Sequence, residues 1–274
     1  MNLNHQITSA VVLEAALLVL SAQSPARAQQ IPAAAASAEA PRPASLSPLV
    51  GLPPVRRNQA PTGLVPRTAD GKPDLSAPWE PNALPQNVDL VKTGVQPTFQ
   101  PWAEKLYKEH KETNSKDDPE ARCLPPGVPR VHTTPYPFRI LQTPGLVVIV
   151  YEGGAHLWRQ IFTDGRPHSP DPDPTWLGES IGHWEGDTLV VDTVGFNGKT
   201  WIDQSGLPTT DKLHVIERFH RIDLGHLEIE NTIDDPGAYT RPWKFTTHPV
   251  LLKGDLMEYI CQENEKDVQH LVGR

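Results

Sequence analysis

A series of short segments rich in β-branched and aromatic residues begins after Phe138, and it constrains the fold of this chain most strongly. Glycine-containing turn sequences such as Asp164-Gly165 and Asn197-Gly198 separate these segments. Short strands joined by tight turns are typical of an antiparallel meander. The predicted strands span residues 146–152, 156–163, 178–184, 187–196, 213–222, 226–233, 243–247 and 256–263.

A meander of this length leaves exposed strand edges unless the sheet closes on itself or folds into two layers. We therefore expect a mainly β fold closed as a lipocalin-like barrel, with a β-sandwich as the alternative. One helix before the strands, with Pro101 in its first turn, is predicted to pack on the barrel. Its packing face is predicted to carry Phe99, Trp102, Ala103, Leu106, Tyr107 and His110.

The N-terminal third of the chain differs from the rest, because it is rich in alanine and proline and shows no hydrophobic period. An apolar run at 7–20, too short to span a bilayer, precedes Ala26-Arg27-Ala28, which has the form of a signal-peptide cleavage site. We expect a periplasmic or secreted protein whose mature part does not insert into a membrane. The predicted divisions are a signal peptide at 1–28, a disordered leader at 29–67, an extended arm at 68–97 and a single β-rich domain at 98–274.

The charge balance and the cysteine content limit the class of partner and the compartment. A formal net charge of −8, with no basic stripe, argues against nucleic acid as a partner. The chain has two cysteines, Cys123 and Cys261. In an oxidising compartment they would most simply pair with each other, so a disulfide between them is predicted.

Five phrases of the sequence carry a resemblance to a known family. They are DPEARCLPPGVPR (118–130), RQIFTDGRPH (159–168), PTWLGESIGHWEGDTLVVDTVGF (174–196), TIDDPGAYTRPW (232–243) and ENEKD (263–267). From about Trp102 onward, the chain resembles a family of secreted, functionally unassigned β-rich proteins from environmental bacteria. The resemblance implies export and one compact β-rich domain, and it implies no reaction.

Glu217 is the first candidate catalytic residue. In the strand at 213–221 the alternation places Glu217 on the same face as Val215 and Phe219, and this apolar face should point inward. A buried carboxylate is costly unless it is paired, and it suits a general acid or base. The alternative is a structural ion pair with an inward arginine such as Arg159, and in that case replacement by glutamine would reduce stability strongly.

Further candidates come from loops and strand ends. The long, proline-rich loop at 164–176 presents Arg166, His168 and Trp176, and loops of this length are often functional. Its alternative role is a rigid lid over one end of the barrel. His214 or His168 is predicted to assist Glu217, and Tyr239 is a candidate proton donor. Arg159 and Arg166 are predicted to hold an anionic or carbonyl group of the substrate, with Trp176 and Trp201 as stacking platforms.

Three functions remain open at this point. The first is an exported enzyme that uses acid–base chemistry in a barrel-mouth pocket on a small organic or glycan substrate, as a lyase, isomerase or hydrolase. The second is a lipocalin-like protein that binds an apolar or aromatic ligand without catalysis, and the third is a structural envelope protein. No cofactor is predicted and no metal-ligand set is assigned, with a metal ion left as an open alternative.

Overall fold

The computed structural model describes residues 60–81, 89–154, 157–261 and 263. The predicted signal peptide and most of the predicted leader lie outside these residues, as does the first residue of the strand predicted at 156–163. Within the described part of the chain, no helix combines the length and the apolar character needed to cross a membrane.

A single curled sheet forms the body of the protein, which confirms the mainly β, barrel-like fold. The ten strands follow the order β10-β1-β2-β3-β4-β5-β6-β7-β8-β9 across the sheet. They are β1 (Ala77–Glu80), β2 (Phe138–Thr143), β3 (Leu146–Tyr151), β4 (Trp158–Phe162), β5 (Glu179–Glu185), β6 (Thr188–Val194), β7 (His214–Arg221), β8 (Leu227–Asp234), β9 (Trp243–Thr247) and β10 (Val250–Leu251).

One strand pair departs from the predicted antiparallel meander. β4 and β5 run parallel and are paired only through Ile161 with Ser180 and Phe162 with Ile181. Parallel neighbours cannot be joined by a tight turn, because the chain must return to the same end of the sheet. The long loop at 163–178 makes this return, so the sheet is mixed, and the prediction of an antiparallel meander fails at this one pair.

The two edges of the sheet meet at Val250. This residue pairs with Glu80 of β1 and also forms a bridge with His226, next to the start of β8. The chain therefore passes from β9, on one edge, directly into β10, on the other edge. Because the two edges meet there, few backbone groups of the sheet edge remain unpaired around Val250.

The elements at either end of the β-rich region differ from the predicted ones. The arm predicted at 68–97 contributes β1, and its Leu75, Trp79 and Leu90 are fully buried. Pro78 interrupts the β-strand sequence pattern there, which is why the sequence does not predict this strand. At the other end, the described residues of the segment 256–263 form no strand, and Met257 is 73% exposed.

The helix α1 (Pro101–Glu112) packs on loops at one end of the sheet. Ala103, Tyr107 and His110 are buried against these loops, as the helical spacing predicts. Trp102, also predicted on the packing face, is 46% exposed, and its Nε1–H donates to the carbonyl oxygen of Gly237 at 2.8 Å. The packing face is therefore narrower than predicted.

A buried, irregular segment at 126–134, which we call the plug segment, fills part of the interior. It enters through Gly127, whose φ of 82° lies in the left-handed region and whose added Cβ would lie 2.5 Å from Thr200 Cγ2. Arg130 anchors it through two bonds to the carboxylate of Asp118, at 2.8 and 2.7 Å. The predicted disulfide between Cys123 and Cys261, just before the plug segment, is confirmed.

Candidate functional site

The interior contains a group of buried polar side chains, Glu217, Arg159 and His132, which we call the inner cluster. β7 directs Glu217 inward, as its alternation predicts, and the side chain is 0% exposed. Arg159 Nη2 donates to Glu217 Oε2 at 2.5 Å, so the predicted structural alternative, a core ion pair, is present. The plug segment supplies His132, whose Nε2 lies 2.8 Å from Glu217 Oε1.

The hydrogen bonds of the inner cluster are unevenly distributed between its two charged members. The guanidinium of Arg159 contacts four side chains: Glu217, Thr193 at 2.8 Å, Ser180 at 2.9 Å and His132 Nε2 at 3.3 Å. Glu217 Oε1, in contrast, has no well-aligned hydrogen-bond donor among the described residues, although His132 is close. Arg159 is 2% exposed and its charge is paired with Glu217, so it is not available to hold an anionic substrate.

The electrostatics of the inner cluster fix its charge state. Burial by itself would raise the pKa of Glu217, but the Arg159 charge and the nearby His132 ring outweigh burial and lower this pKa to about 2. Burial lowers the pKa of His132 despite the neighbouring carboxylate. At neutral pH Glu217 is thus an ionised partner of Arg159 and does not hold a proton to donate.

A second polar group, the outer cluster, lies on the opposite face of the sheet and consists of His168, Glu179, Asp192 and His214. His168 Nδ1 lies 3.0 Å from Glu179 Oε1, and its Nε2 lies 3.0 Å from Asp192 Oδ1. The same Asp192 oxygen lies 2.9 Å from His214 Nε2. The structure therefore brings His168 and His214 together, but on the face opposite Glu217, so neither can assist it.

The outer cluster fixes the long loop to the sheet. Besides His168, Ser169 of the loop donates to Glu179 through its backbone N–H at 2.7 Å and through its hydroxyl at 2.6 Å. These bonds to Ser169, with the smaller contribution of His168, lower the pKa of Glu179. Three donors on one carboxylate hold the loop in one position beside β5.

A cleft of about 600 Å³ opens between the loop and β4, and we call it the β4–β5 cleft. It arises because the two parallel strands pair only at the end of β4, so the first half of β4 has no partner on this side. Trp158, Phe162 and Trp176 provide aromatic walls, while Arg159 and Ser180 border its inner side. Its carboxylates are Asp171, Asp173 and Glu179, and Arg159 is the one cation among its described lining residues.

Of the residues predicted to bind substrate, Arg159 and Trp176 border this cleft and two do not. Arg166 is bound to the carboxylate of Asp164 at 2.6 Å and lies over the ring of Phe162 at 3.9 Å, so its charge is already paired. Trp201 is buried and stacks on His110 of α1, with 4.0 Å between the ring centroids. Arg166 and Trp201 therefore have structural roles.

Tyr239, the predicted proton donor, is also placed away from the cleft. It is buried beneath α1, and its hydroxyl donates to the carbonyl oxygen of Pro208 at 2.9 Å. Burial raises its pKa well above the ordinary value of a tyrosine. Its hydroxyl is used to fasten a loop and does not face a ligand.

Several residues of the site are not predicted from the sequence, and His132 and Trp158 illustrate two different reasons. His132 belongs to an irregular segment without a hydrophobic period, so nothing in the sequence connects it with Glu217. Trp158 could have been found, because strand alternation places it on the face opposite the inward Arg159. It is 58% exposed, which is unusual for a large aromatic side chain.

Within the described ranges, no group of three or more His, Cys, Asp or Glu side chains is arranged to hold a metal ion. That the protein uses no cofactor stays a prediction from the sequence, with a metal ion as the open alternative. Comparison with known proteins identifies no relative: the chain matches no protein-family model, no curated protein and no solved structure.

Proposed function

We propose that this chain is an exported protein that binds a small organic or glycan ligand in the β4–β5 cleft. The observation that carries the proposal is the cleft itself. Its volume of about 600 Å³ lies within the usual range of small-molecule sites, ~300–1,000 Å³. Aromatic walls and a few polar groups are the usual composition of such sites.

The geometry favours binding over the acid–base reaction predicted around Glu217. A catalytic acid or base must reach the ligand with a free proton or lone pair. Glu217 is enclosed and ionised, and both ring nitrogens of His168 face carboxylate oxygens. The described residues that border the cleft are therefore better suited to hold a ligand than to transfer a proton.

Export is supported by two independent features. The first is the sequence pattern of the signal peptide predicted at 1–28. The second is the disulfide between Cys123 and Cys261, since disulfides persist mainly in oxidising compartments. A binding protein outside the cytoplasm would have access to ligands that are present in the surroundings of the cell.

A thermal-shift screen of the mature protein tests the binding function. The panel contains mono- and oligosaccharides, aryl glycosides and simple phenols, and a ligand is expected to raise the melting temperature in a concentration-dependent way. Trp176→Ala should weaken this ligand at least tenfold, because it removes one wall of the cleft. Trp102→Ala is the matched control, because it removes a partly exposed tryptophan that does not line the cleft. This variant should bind the ligand normally.

Two results would contradict the proposal. One is the absence of any binding across the panel, and the other is equal weakening by Trp176→Ala and Trp102→Ala. Far-UV circular dichroism of both variants establishes that they are folded before affinities are compared.

A further inference from the structure

A second cleft, of about 360 Å³, adjoins the β4–β5 cleft. We call it the β3 cleft, because Val148 and Val150 of β3 line it together with Leu256 and Met257. The two clefts share Leu157 and Trp158. Trp158 therefore stands between them, with more than half of its surface exposed.

We propose that the two clefts form one elongated site and that its ligand is an oligosaccharide without acidic groups, which crosses the Trp158 indole. This inference rests on the proposed binding function and specifies its ligand. Each cleft falls within the size range of a small-molecule site, ~300–1,000 Å³. A compact ligand in one cleft would leave the other empty, whereas a chain-like ligand occupies both and covers the exposed ring.

The polar groups of the site select for hydroxyl donors. Asp171 and Asp173, both exposed in the β4–β5 cleft, supply carboxylate oxygens, which only accept hydrogen bonds. Sugar hydroxyl groups donate to such oxygens, while the C–H faces of the rings pack on aromatic side chains. Trp158 and Trp176 provide two such aromatic platforms within the combined site.

The charges of the site exclude anionic ligands. Arg159 is paired with Glu217, and Arg166, beside the cleft, is paired with Asp164. The described lining residues offer no other cation, so a carboxylate or phosphate on the ligand would meet only like charges and arginines that are already paired. This argues against uronic acid chains, fatty acids and aromatic acids as ligands.

Covalent and hydrogen-bonded contacts hold both walls of the combined site in place. The disulfide between Cys123 and Cys261 joins two segments that border the clefts, one leading to Pro125 and the other following Met257. The bonds from Ser169 and His168 to Glu179 hold the opposite wall. Preorganised walls lower the cost of ordering the site when a ligand binds.

Isothermal titration calorimetry of the mature protein tests the inference with three series of probes. They are β-1,4-linked glucose, β-1,4-linked glucosamine and α-1,4-linked galacturonate oligomers of one, two, four and six units. For at least one of the first two series, affinity should rise at least tenfold from the monomer to the tetramer. The galacturonate series should bind at least tenfold more weakly than that series at each length.

Two substitutions locate the ligand. Trp158→Ala and Met257→Ala change exposed side chains, so both variants are expected to fold. Each should reduce the ratio of tetramer affinity to monomer affinity at least threefold. Trp102→Ala is again the matched control and should leave the length dependence unchanged. In wild type, added salt should reduce the difference in affinity between the galacturonate series and the other two series, because salt screens charge repulsion.

The inference is overturned if no oligomer binds, if the monomer binds as tightly as the tetramer, or if galacturonate oligomers bind most tightly. It is also overturned if Trp158→Ala retains the full length dependence. Failure of this inference is distinct from failure of the proposed binding function. If a phenol or aryl glycoside binds and only Trp176→Ala weakens its affinity, the binding function stands although the oligosaccharide inference fails.

Discussion

The inner and outer clusters are built from similar parts on opposite faces of the same strands. Each has a carboxylate contacted by two nitrogen-bearing side chains: Glu217 by Arg159 and His132, and Asp192 by His168 and His214. The side chain of Glu217 is 0% exposed, while that of Asp192 is 35% exposed. Asp192 follows Val191, the residue paired with Glu217, so strand alternation alone assigns the two carboxylates to different environments.

The difference in exposure gives the two clusters different consequences. Charges removed from water interact strongly, and an unpaired partner inside the protein is very costly. Charges that remain in contact with water are screened, and their pairs contribute little to stability. The inner cluster is therefore a structural element of the core, whereas the outer cluster mainly positions the loop that forms one wall of the β4–β5 cleft.

Glu217→Gln should reduce the stability of the protein far more than any single substitution in the outer cluster. The amide has nearly the shape of the carboxylate but leaves the buried charge of Arg159 without a counter-ion. We expect the free energy of unfolding to fall by about 3–5 kcal/mol, measured by urea denaturation. A loss below about 1 kcal/mol would show that the inner cluster is no more important than a surface ion pair.

The second prediction concerns acid stability. Because the pKa of Glu217 is lowered from 4.5 to about 2, its contribution to stability is fully present above about pH 4.5 and is lost as the pH falls to about 2. The shift corresponds to roughly 3 kcal/mol. His132 acts in the same direction below about pH 6.5, because its lowered pKa means that unfolding takes up a proton.

Comparison of wild type with Glu217→Gln separates these contributions. Urea denaturation between pH 7 and pH 2.5 should show a steep loss of stability in wild type below pH 4.5. The variant should show a flatter profile in that interval, because the titrating group is missing. Parallel profiles for the two proteins would mean that Glu217 has an ordinary pKa and is not coupled to Arg159.

Most of the sheet could be predicted from the sequence, since seven of the ten strands show alternation or clear turn signals. The other three, β1, β2 and β10, are short or lie beside prolines, and their formation depends on pairing with distant parts of the chain. The parallel pairing of β4 with β5 was also not predictable. A long loop in sequence can be a lid or a crossover, and only the strand register distinguishes them.

The site could be predicted only in part, for a reason that the two clusters illustrate. Alternation places Glu217 inside and His214 outside, and both positions follow from the register of a single strand. His132 could not be predicted, because it reaches Glu217 through the irregular plug segment, whose path is set by tertiary contacts such as the Arg130–Asp118 pair. Local periodicity identifies faces of a strand but not which loop covers them.

Asp192→Asn should have the smallest effect on global stability, less than about 1 kcal/mol, because the outer cluster is partly exposed. Its effect should instead be local: with a weaker contact to His168, the loop should be cut several-fold faster by chymotrypsin after Trp176. His214→Gln is the matched control, since it removes the other contact of Asp192 but leaves the contact between His168 and Asp192 in place. If Asp192→Asn lowered the free energy of unfolding as much as Glu217→Gln does, exposure would not be what separates the two clusters, and the loop would be part of the cooperative core.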